Sequence, residues 1–493
     1  MSTLARASRA APFSLIAKAV RFILSFATSI LVVRMLPEND YGVLTIVRTI
    51  ASLAGALIGF GMGNAILRFL PEREAKGEGA RALLNWAAAL PMAAWAVVTG
   101  SAFLLRDTID SFYGTPIGTP LLAGIALLSG NLLYTILMNT WTATFRTREL
   151  ALVQSVLSFA ILAASYGAIR MGWGVIGVLA ASSLPYLLAA IVRGPAIWLS
   201  LRAGAARLPA KPLLTYGIPV AFVDILNQIT WRQSETILLG HYTSAAAAGT
   251  FDIAYKLPQL LVEFVPDTIW PLVLAAFAEV YTRDRSRLNE MIRRYYQVLF
   301  LLVLPVSVFG VLYGDLLIQT AYGTERAEAG QYARIFFFIF HLTFWGTPLS
   351  MALYLLKKTH VNLWLALVAA AVNVGLDFVL IPKYGLPGAV PPVAIAVALT
   401  AVLRGITLRR MHGTLPVPWR FLGRAYLATA PLAIFYPIRG MGSPPVALCA
   451  ISGLSLLLLP YTIKVARLLG EEEREYLRQS GIPGREILLR WFR

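Results

Sequence analysis

Apolar blocks of roughly 20 residues recur from one end of this chain to the other, separated by short loops that are often basic. That pattern is the strongest constraint on its fold. Backbone N–H and C=O groups find no partners in hydrocarbon, so such blocks must be helices that close their own hydrogen bonds. Only 14% of the 493 residues are charged, against about 25% in soluble domains. The pattern excludes a soluble enzyme, a nucleic-acid-binding domain and a disordered chain. The net charge of +18 needs no nucleic acid to explain it, because Lys and Arg accumulate in the cytoplasmic loops of membrane proteins.

Fourteen apolar segments can be marked off between residues 12 and 463, among them 12–35, 41–67, 213–238, 249–278 and a short, Pro-containing thirteenth at 425–440. The expected fold class is an all-α polytopic membrane protein. An even number of spans places both termini on one side. With the termini in the cytoplasm, the inner segments outnumber the outer ones in Lys and Arg by roughly four to one. The first block, preceded by Arg6 and Arg9, is too long for a signal peptide and is read as a retained span. The expected location is the inner membrane. Cys449 is alone and forms no internal disulfide.

The chain also repeats itself. Span 1, its turn and span 2 resemble span 7, its turn and span 8, with Gly42 and Gly249 each opening a helix after the outer turn. Six spans followed by six of the same sense make a parallel repeat about an axis along the membrane normal. The expected divisions are an N-lobe at 1–212, a C-lobe at 213–424, two further spans at 425–463 and a cytoplasmic tail at 464–493. In that tail, Ile487, Leu488, Trp491 and Phe492 alternate with arginines, a pattern suited to a lipid surface or to a solubilising tail.

A charge inside hydrocarbon costs about 2.5–3.5 kcal/mol on insertion scales, so each one needs a reason. Span 1 carries Ser14, Lys18, Arg21, Ser25 and Ser29 on one helical face; span 2 carries Thr45, Arg48 and Ser52 on another. Span 7 has Asp224, Asn227, Gln228, Arg232 and Glu235. Span 8 has Asp252, Lys256, Gln259, Glu263 and Asp267, span 11 has Asn373 and Asp377, and span 10 has His341. The functional reading turns these stripes towards a watery cavity between the two halves. Lys18, Arg21, Arg48, Arg232 and Lys256 would then bind an anion such as pyrophosphate. Asp224, Glu235, Asp252 and Asp377 would serve a coupled cation. The bland reading has Lys18, Arg21, Arg48 and Lys256 snorkelling to the nearer surface. It pairs Arg232 with Asp224 or Glu235. No P-loop, H-E-x-x-H, CxxC pair or large outer loop is present, and the four histidines are scattered. No enzyme activity, cofactor, metal or nucleic-acid partner is expected.

Four stretches resemble a known family. "VVRMLPENDYG" resembles the "ARxLGPxxYG" turn of polysaccharide and O-antigen flippases. "RQSETILLGHYTSAAAAGTFDIAYKL" resembles their "SxDxxxLGxxxSxxxVGxYxxAxxL" stretch, with Glu235 where relatives commonly have Asp. "YGTERAEAGQYARIF" resembles the outer loop before their tenth span, and "AAVNVGLDFVLIPKYGLPGAV" their span 11–12 signature. The family is the oligosaccharide-flippase branch of the multidrug/oligosaccharidyl-lipid/polysaccharide exporter superfamily. The resemblance implies two six-helix lobes around a central cavity, plus two C-terminal helices. It implies movement of an undecaprenyl-pyrophosphate-linked oligosaccharide to the outer leaflet by alternating access. The expected partners are that lipid-linked substrate, membrane lipids, and the polymerase and glycosyltransferases of a polysaccharide pathway. The rivals within the fold are a multidrug-extrusion cation antiporter, whose cavity should be acidic, and a lipid II flippase. A reporter active only in the cytoplasm, fused after Arg493, should be active, and the same reporter fused after Gly114 should be silent. The reverse pattern would invert the topology.

Overall fold

The computed structural model describes residues 3–76, 78–201, 203, 210–228 and 233–468. Every element among them is helical. Eleven of the described helical segments are long and apolar enough to cross a membrane. The remaining sequence-assigned spans, the first, seventh and eighth, all carry charged stripes, as does span 2 among the eleven. By contact density the chain divides into two compact units: residues 1–249 with 381–386, and residues 250–380 with 387–493. The C-terminal tail read as a surface segment lies outside the described residues from position 469 onwards.

The first unit is built from α1 (Thr3–Met35), α2 (Glu38–Ile58), α3 (Met62–Ala75), α4 (Arg81–Leu104), α5 (Arg106–Tyr113), α6 (Gly118–Ala143), α7 (Thr147–Arg170), α8 (Gly174–Ser200), α9 (Ala210–Gln228) and α10 (Ser234–Tyr242). α6 is central and packs against α2, α3, α4 and α8, while α7 bridges α8 and α1. Trp141, Leu83, Ile66 and Leu137 form its main core. Arg81 closes the end of α8. Its Nε donates to the Leu201 carbonyl at 3.0 Å, a terminal nitrogen donates to the Leu199 carbonyl at 2.9 Å, and the guanidinium lies 4.5 Å from the Trp198 ring centroid. Orphan carbonyls at a helix C-terminus are thereby satisfied by a cation, which also suits the helix dipole.

One feature of this unit departs from the sequence reading. Span 2 is not one helix. It breaks at Gly59–Gly61, where Phe60 and Gly61 both take positive φ, 48° and 64°. The break fits against α9: a Cβ on Gly61 would overlap the Gly217 carbonyl oxygen, and one on Gly217 would overlap that of Phe60. The backbones touch there, which only glycine allows. Tyr113, at the end of the short α5, is buried. Burial pushes its hydroxyl pKa up to about 12, and the neighbouring Phe112 stacks on His241 at 3.8 Å.

The second unit comprises α11 (Ala245–Arg283, its first residues belonging to the first unit), α12 (Leu288–Tyr322), α13 (Ala327–Leu355), α14 (Thr359–Tyr384), α15 (Val390–His412), α16 (Trp419–Thr429) and α17 (Pro444–Val465). α13 packs along α12 and against α15, and α12 also meets α16 and α17. The core is aromatic. Tyr255 lies edge-on to Phe336 and Phe340 at 5.1 and 4.9 Å, and Phe251 meets Phe336 at 5.4 Å. His341 belongs to this packing, with Nε2 2.5 Å from the Tyr426 hydroxyl. The thirteenth segment is α-helical only to Thr429 and continues as a 3₁₀ helix over Ala430–Gly440. Pro431 and Pro437 within it remove α-helical donors.

Gly42 and the first turn of α11 meet inside the first unit. A Cβ on Gly42 would overlap the Ala245 carbonyl oxygen, and a Cβ on Gly249 would come within 3.1 Å of Gly42 Cα. Gly42→Ala should therefore lower stability by about 1–3 kcal/mol. Gly100→Ala, in open space within α4, should leave it unchanged or raise it by up to about 1 kcal/mol. Thermal unfolding of the detergent-solubilised protein checks both.

Candidate substrate cavity

The polar stripes of α1 and α2 converge. Arg21, Ser25 and Thr28 from α1 and Arg48 and Ser52 from α2 line one cavity of about 510 Å³ within the first unit. The spacing of 4 and 3 on α1, and of 4 on α2, is what keeps each set on one helical face. The opposite wall comes from α6, α7 and α8, through Asn131, Thr135, Ser158, Ser182, Ser183 and Tyr186. Its apolar remainder includes Ala51, Gly55, Leu128 and Leu179.

The electrostatics are one-sided: among the described residues, two guanidinium groups line this cavity and no carboxylate does. Arg48 donates a terminal N–H to Ser182 Oγ at 2.9 Å, and that hydroxyl passes its own proton to the Val178 carbonyl at 2.7 Å. The relay orients the guanidinium fork. Thr135 and Ser158 likewise donate to carbonyls one turn back, Asn131 and Gln154, at 2.8 and 2.9 Å. Their hydroxyl hydrogens are used and their oxygens remain acceptors. Asn131 reaches Ser183 Oγ at 3.5 Å. At the α9 side, Ser52 donates to Gln228 Oε1 at 2.8 Å, which also accepts from Gln233 at 3.1 Å. A cavity of this kind attracts an anion with several acceptor oxygens. Its size lies within the usual range for small-ligand sites, about 300–1,000 Å³.

The remaining expected residues fall elsewhere. Lys18 is a turn before Arg21 and is not among the lining residues. Lys256 Nζ lies 3.9 Å from Asp252 Oδ2, one turn along α11 in the second unit. Glu235 is fully buried at the start of α10, where Ser234 Oγ donates to it at 3.2 Å. Asp377 is fully buried on α14 and accepts from Asn373 at 3.4 Å. Asp224 sits on α9. Arg232 lies outside the described residues. Among the described residues, no three His, Cys, Asp or Glu side chains gather as metal ligands.

Sequence reasoning missed the α6–α8 wall. Asn131, Thr135, Ser182 and Ser183 are neutral, and in a membrane helix such residues ordinarily serve close helix packing. The available signal was an Asn within the apolar run of α6, one turn from Thr135.

The sequence profile of the family described as "Polysaccharide biosynthesis protein" matches residues 31–330. The probable flippase AglR of Haloferax volcanii is 24% identical over 220 residues, 43% of this chain and 45% of that protein. The matched stretch thus spans less than half of the relative's length. Among solved structures, the lipid II flippase MurJ in an inward closed conformation superposes with a TM-score of 0.73 at 14% identity, over 92% of this chain and 98% of the other. An inward-facing multidrug-resistance transporter of the MATE family and MOP superfamily gives 0.58 at 16% identity, over 82% of this chain and 98% of the other. At such identities these structures speak to the fold.

A cysteine replacing Ser25 or Ser52, with the exposed Cys449 changed to Ala, should react with an anionic thiosulfonate several-fold faster than with a cationic one. Adding Arg48→Ala should shrink that preference. Equal rates for both reagents would contradict a cationic cavity.

Proposed function

Because this chain belongs to the polysaccharide biosynthesis protein family, with the fold of the superfamily's flippases and multidrug transporters, we propose that it moves an undecaprenyl-pyrophosphate-linked oligosaccharide from the cytoplasmic to the outer leaflet. It would do so by alternating access between lobes at 1–212 and 213–424, in the inner membrane, with both termini in the cytoplasm. It acts as a transporter and not as an enzyme. Glycosyltransferases would supply its substrate and a polymerase would consume it.

One observation carries this reading. Among the described residues, the cavity of the first unit is lined by Arg21 and Arg48 and by no carboxylate. A pyrophosphate offers the multiple anionic oxygens that guanidinium forks bind best. Hydroxyls and the Asn131 amide on the facing wall suit the sugar oxygens next to it. A cation-extruding antiporter would need the opposite sign. Lys18, Lys256 and Arg232 complete the proposed set of anion contacts at other stages of the cycle.

The membrane potential supplies a driving force. A head group with about two negative charges is pushed outward by an inside-negative potential, at about 2.3 kcal/mol per charge per 100 mV. A second route runs through a carboxylate that takes up a cation as the empty cavity resets. Asp224, Glu235, Asp252 and Asp377 are the proposed carriers, with Asp224 first, since it heads the polar stripe of span 7.

Arg21→Ala and Arg48→Ala should each cut complementation of a flippase-deficient strain by at least about tenfold at normal protein levels, a change of about 1.4 kcal/mol. Arg48→Lys should keep part of the activity, because a mobile ligand needs the charge more than the fork. Full activity in both alanine variants would overturn the reading. In proteoliposomes with potential and ion gradients set separately, Asp224→Asn should abolish the response to the coupled ion and spare the response to potential. An unchanged ion response would leave the potential as the driving force.

A further inference from the structure

A second cleft, of about 550 Å³, opens on the second unit and is lined by none of the residues assigned to transport. It is lined by Val311 of α12, by Gln331, Arg334, Ile335 and Phe338 of α13, and by Arg439 of the 3₁₀ segment. The four α13 positions follow an i, i+3, i+4, i+7 pattern and share one face. Ile335 and Phe338 are 45% and 51% exposed, so this face looks towards hydrocarbon once α13 spans the bilayer. Arg334 lies seven residues into α13, about 10 Å below its first residue at 1.5 Å per residue. The cleft therefore runs from a polar, cationic upper end to an apolar lower one. It sits at the membrane face opposite the Asp284–Arg287 turn, because α12 starts at that turn and Val311 lies in its far half.

The two arginines differ. Arg439 is committed within the protein. It forms an ion pair with the buried Asp315, donates to the Tyr436 hydroxyl at 2.6 Å and lies 5.3 Å from that ring's centroid. Arg334 uses only Nε, which donates to the Val311 carbonyl at 2.7 Å. Among the described residues no carboxylate pairs with it. The geometry is built: Gly314 leaves a track on α12 along which the Arg334 stem runs, a Cβ there coming within 3.2 Å of Arg334 Cγ. The Val311 bond then holds the guanidinium in the cleft and stops it from swinging up to water. A positive charge is thus fixed, uncompensated, above an apolar floor at the lipid boundary, where charge is costly unless it finds a partner.

We propose that this cleft is a binding site for one glycerophospholipid with a net negative head group from the adjoining leaflet. The phosphate sits against the free edge of Arg334 with the Gln331 amide beside it, and one acyl chain lies over Ile335 and Phe338. The charge count favours an anionic lipid, since Arg439 is cancelled by Asp315 and one positive charge remains. This site is independent of the transport cavity and requires only that α12 and α13 cross the membrane.

The test uses the full-length protein in a neutral detergent. Native mass spectrometry and thermal unfolding are followed while dioctanoyl-phosphatidylglycerol, dioctanoyl-phosphatidylcholine or inorganic phosphate is titrated. Phosphatidylglycerol should give a saturable one-lipid adduct and a rise in Tm, and the other two ligands should be at least about tenfold weaker. Arg334→Gln should reduce phosphatidylglycerol affinity at least about tenfold, and Arg106→Gln, at another outer turn, should not. Arg334 is the residue to change, since removing Arg439 would strand a buried carboxylate. Phe338→Ser, at an exposed position that keeps the charge, should also weaken the adduct, which guards against loss of folding in the arginine variant. Phosphatidylcholine or inorganic phosphate binding as tightly as phosphatidylglycerol would overturn the proposal. So would wild-type lipid affinity in both Arg334→Gln and Phe338→Ser.

Discussion

Hydrocarbon neither hydrogen-bonds a backbone nor solvates a charge, and the placement of every polar side chain in this protein follows from that. The backbone is satisfied within helices, and where a helix is broken the break is sheltered. The interruption of span 2 at Gly59–Gly61 is packed on Gly217 of α9, and the 3₁₀ stretch at Ala430–Gly440 lies against α12 and α17. The same logic governs charge. Asp315 meets Arg439, Asp252 meets Lys256, and Arg81 meets the carbonyls that end α8. Arg21 and Arg48 are different: among the described residues, the lining of the cavity they share contains no carboxylate.

That difference is what makes the cavity chemically useful. A guanidinium cancelled by a buried carboxylate is an element of structure. Arg48 is instead held on the cavity wall by Ser182. Neutral hydroxyl relays fix orientation at small electrostatic cost, which would preorganise the site for the proposed anion. In the second unit Lys256 meets Asp252 and Asn373 meets Asp377, each one turn along a single helix, while Asp315 of α12 meets Arg439 of the 3₁₀ segment.

The helical membrane architecture was legible because hydropathy and loop charge act over whole segments. The charged stripes of spans 1 and 2 were legible because residues spaced by three or four must share a helical face. Arg21 and Arg48 line one cavity within the first unit. The far wall was not legible. Asn131, Ser182 and Ser183 are too common in membrane helices to stand out, and only tertiary packing brings α6 and α8 opposite α1 and α2. The break in span 2 escaped as well, although Gly59, Gly61 and Gly63 lie in plain view, because a hydropathy window averages across a kink without noticing it.

The central claim is that Arg21 and Arg48 act together on one anionic head group. A double-mutant cycle on equilibrium binding tests it most directly, with undecaprenyl pyrophosphate as ligand and undecaprenol as the uncharged reference. Arg21→Gln and Arg48→Gln should each weaken binding of the pyrophosphate lipid. The double variant should lose less than the sum of the two, because both contacts serve the same ligand. Undecaprenol binding should be the same in all four proteins. Additive losses would place the two arginines at separate sites, and pyrophosphate-lipid binding unaffected in the double variant would contradict the account outright.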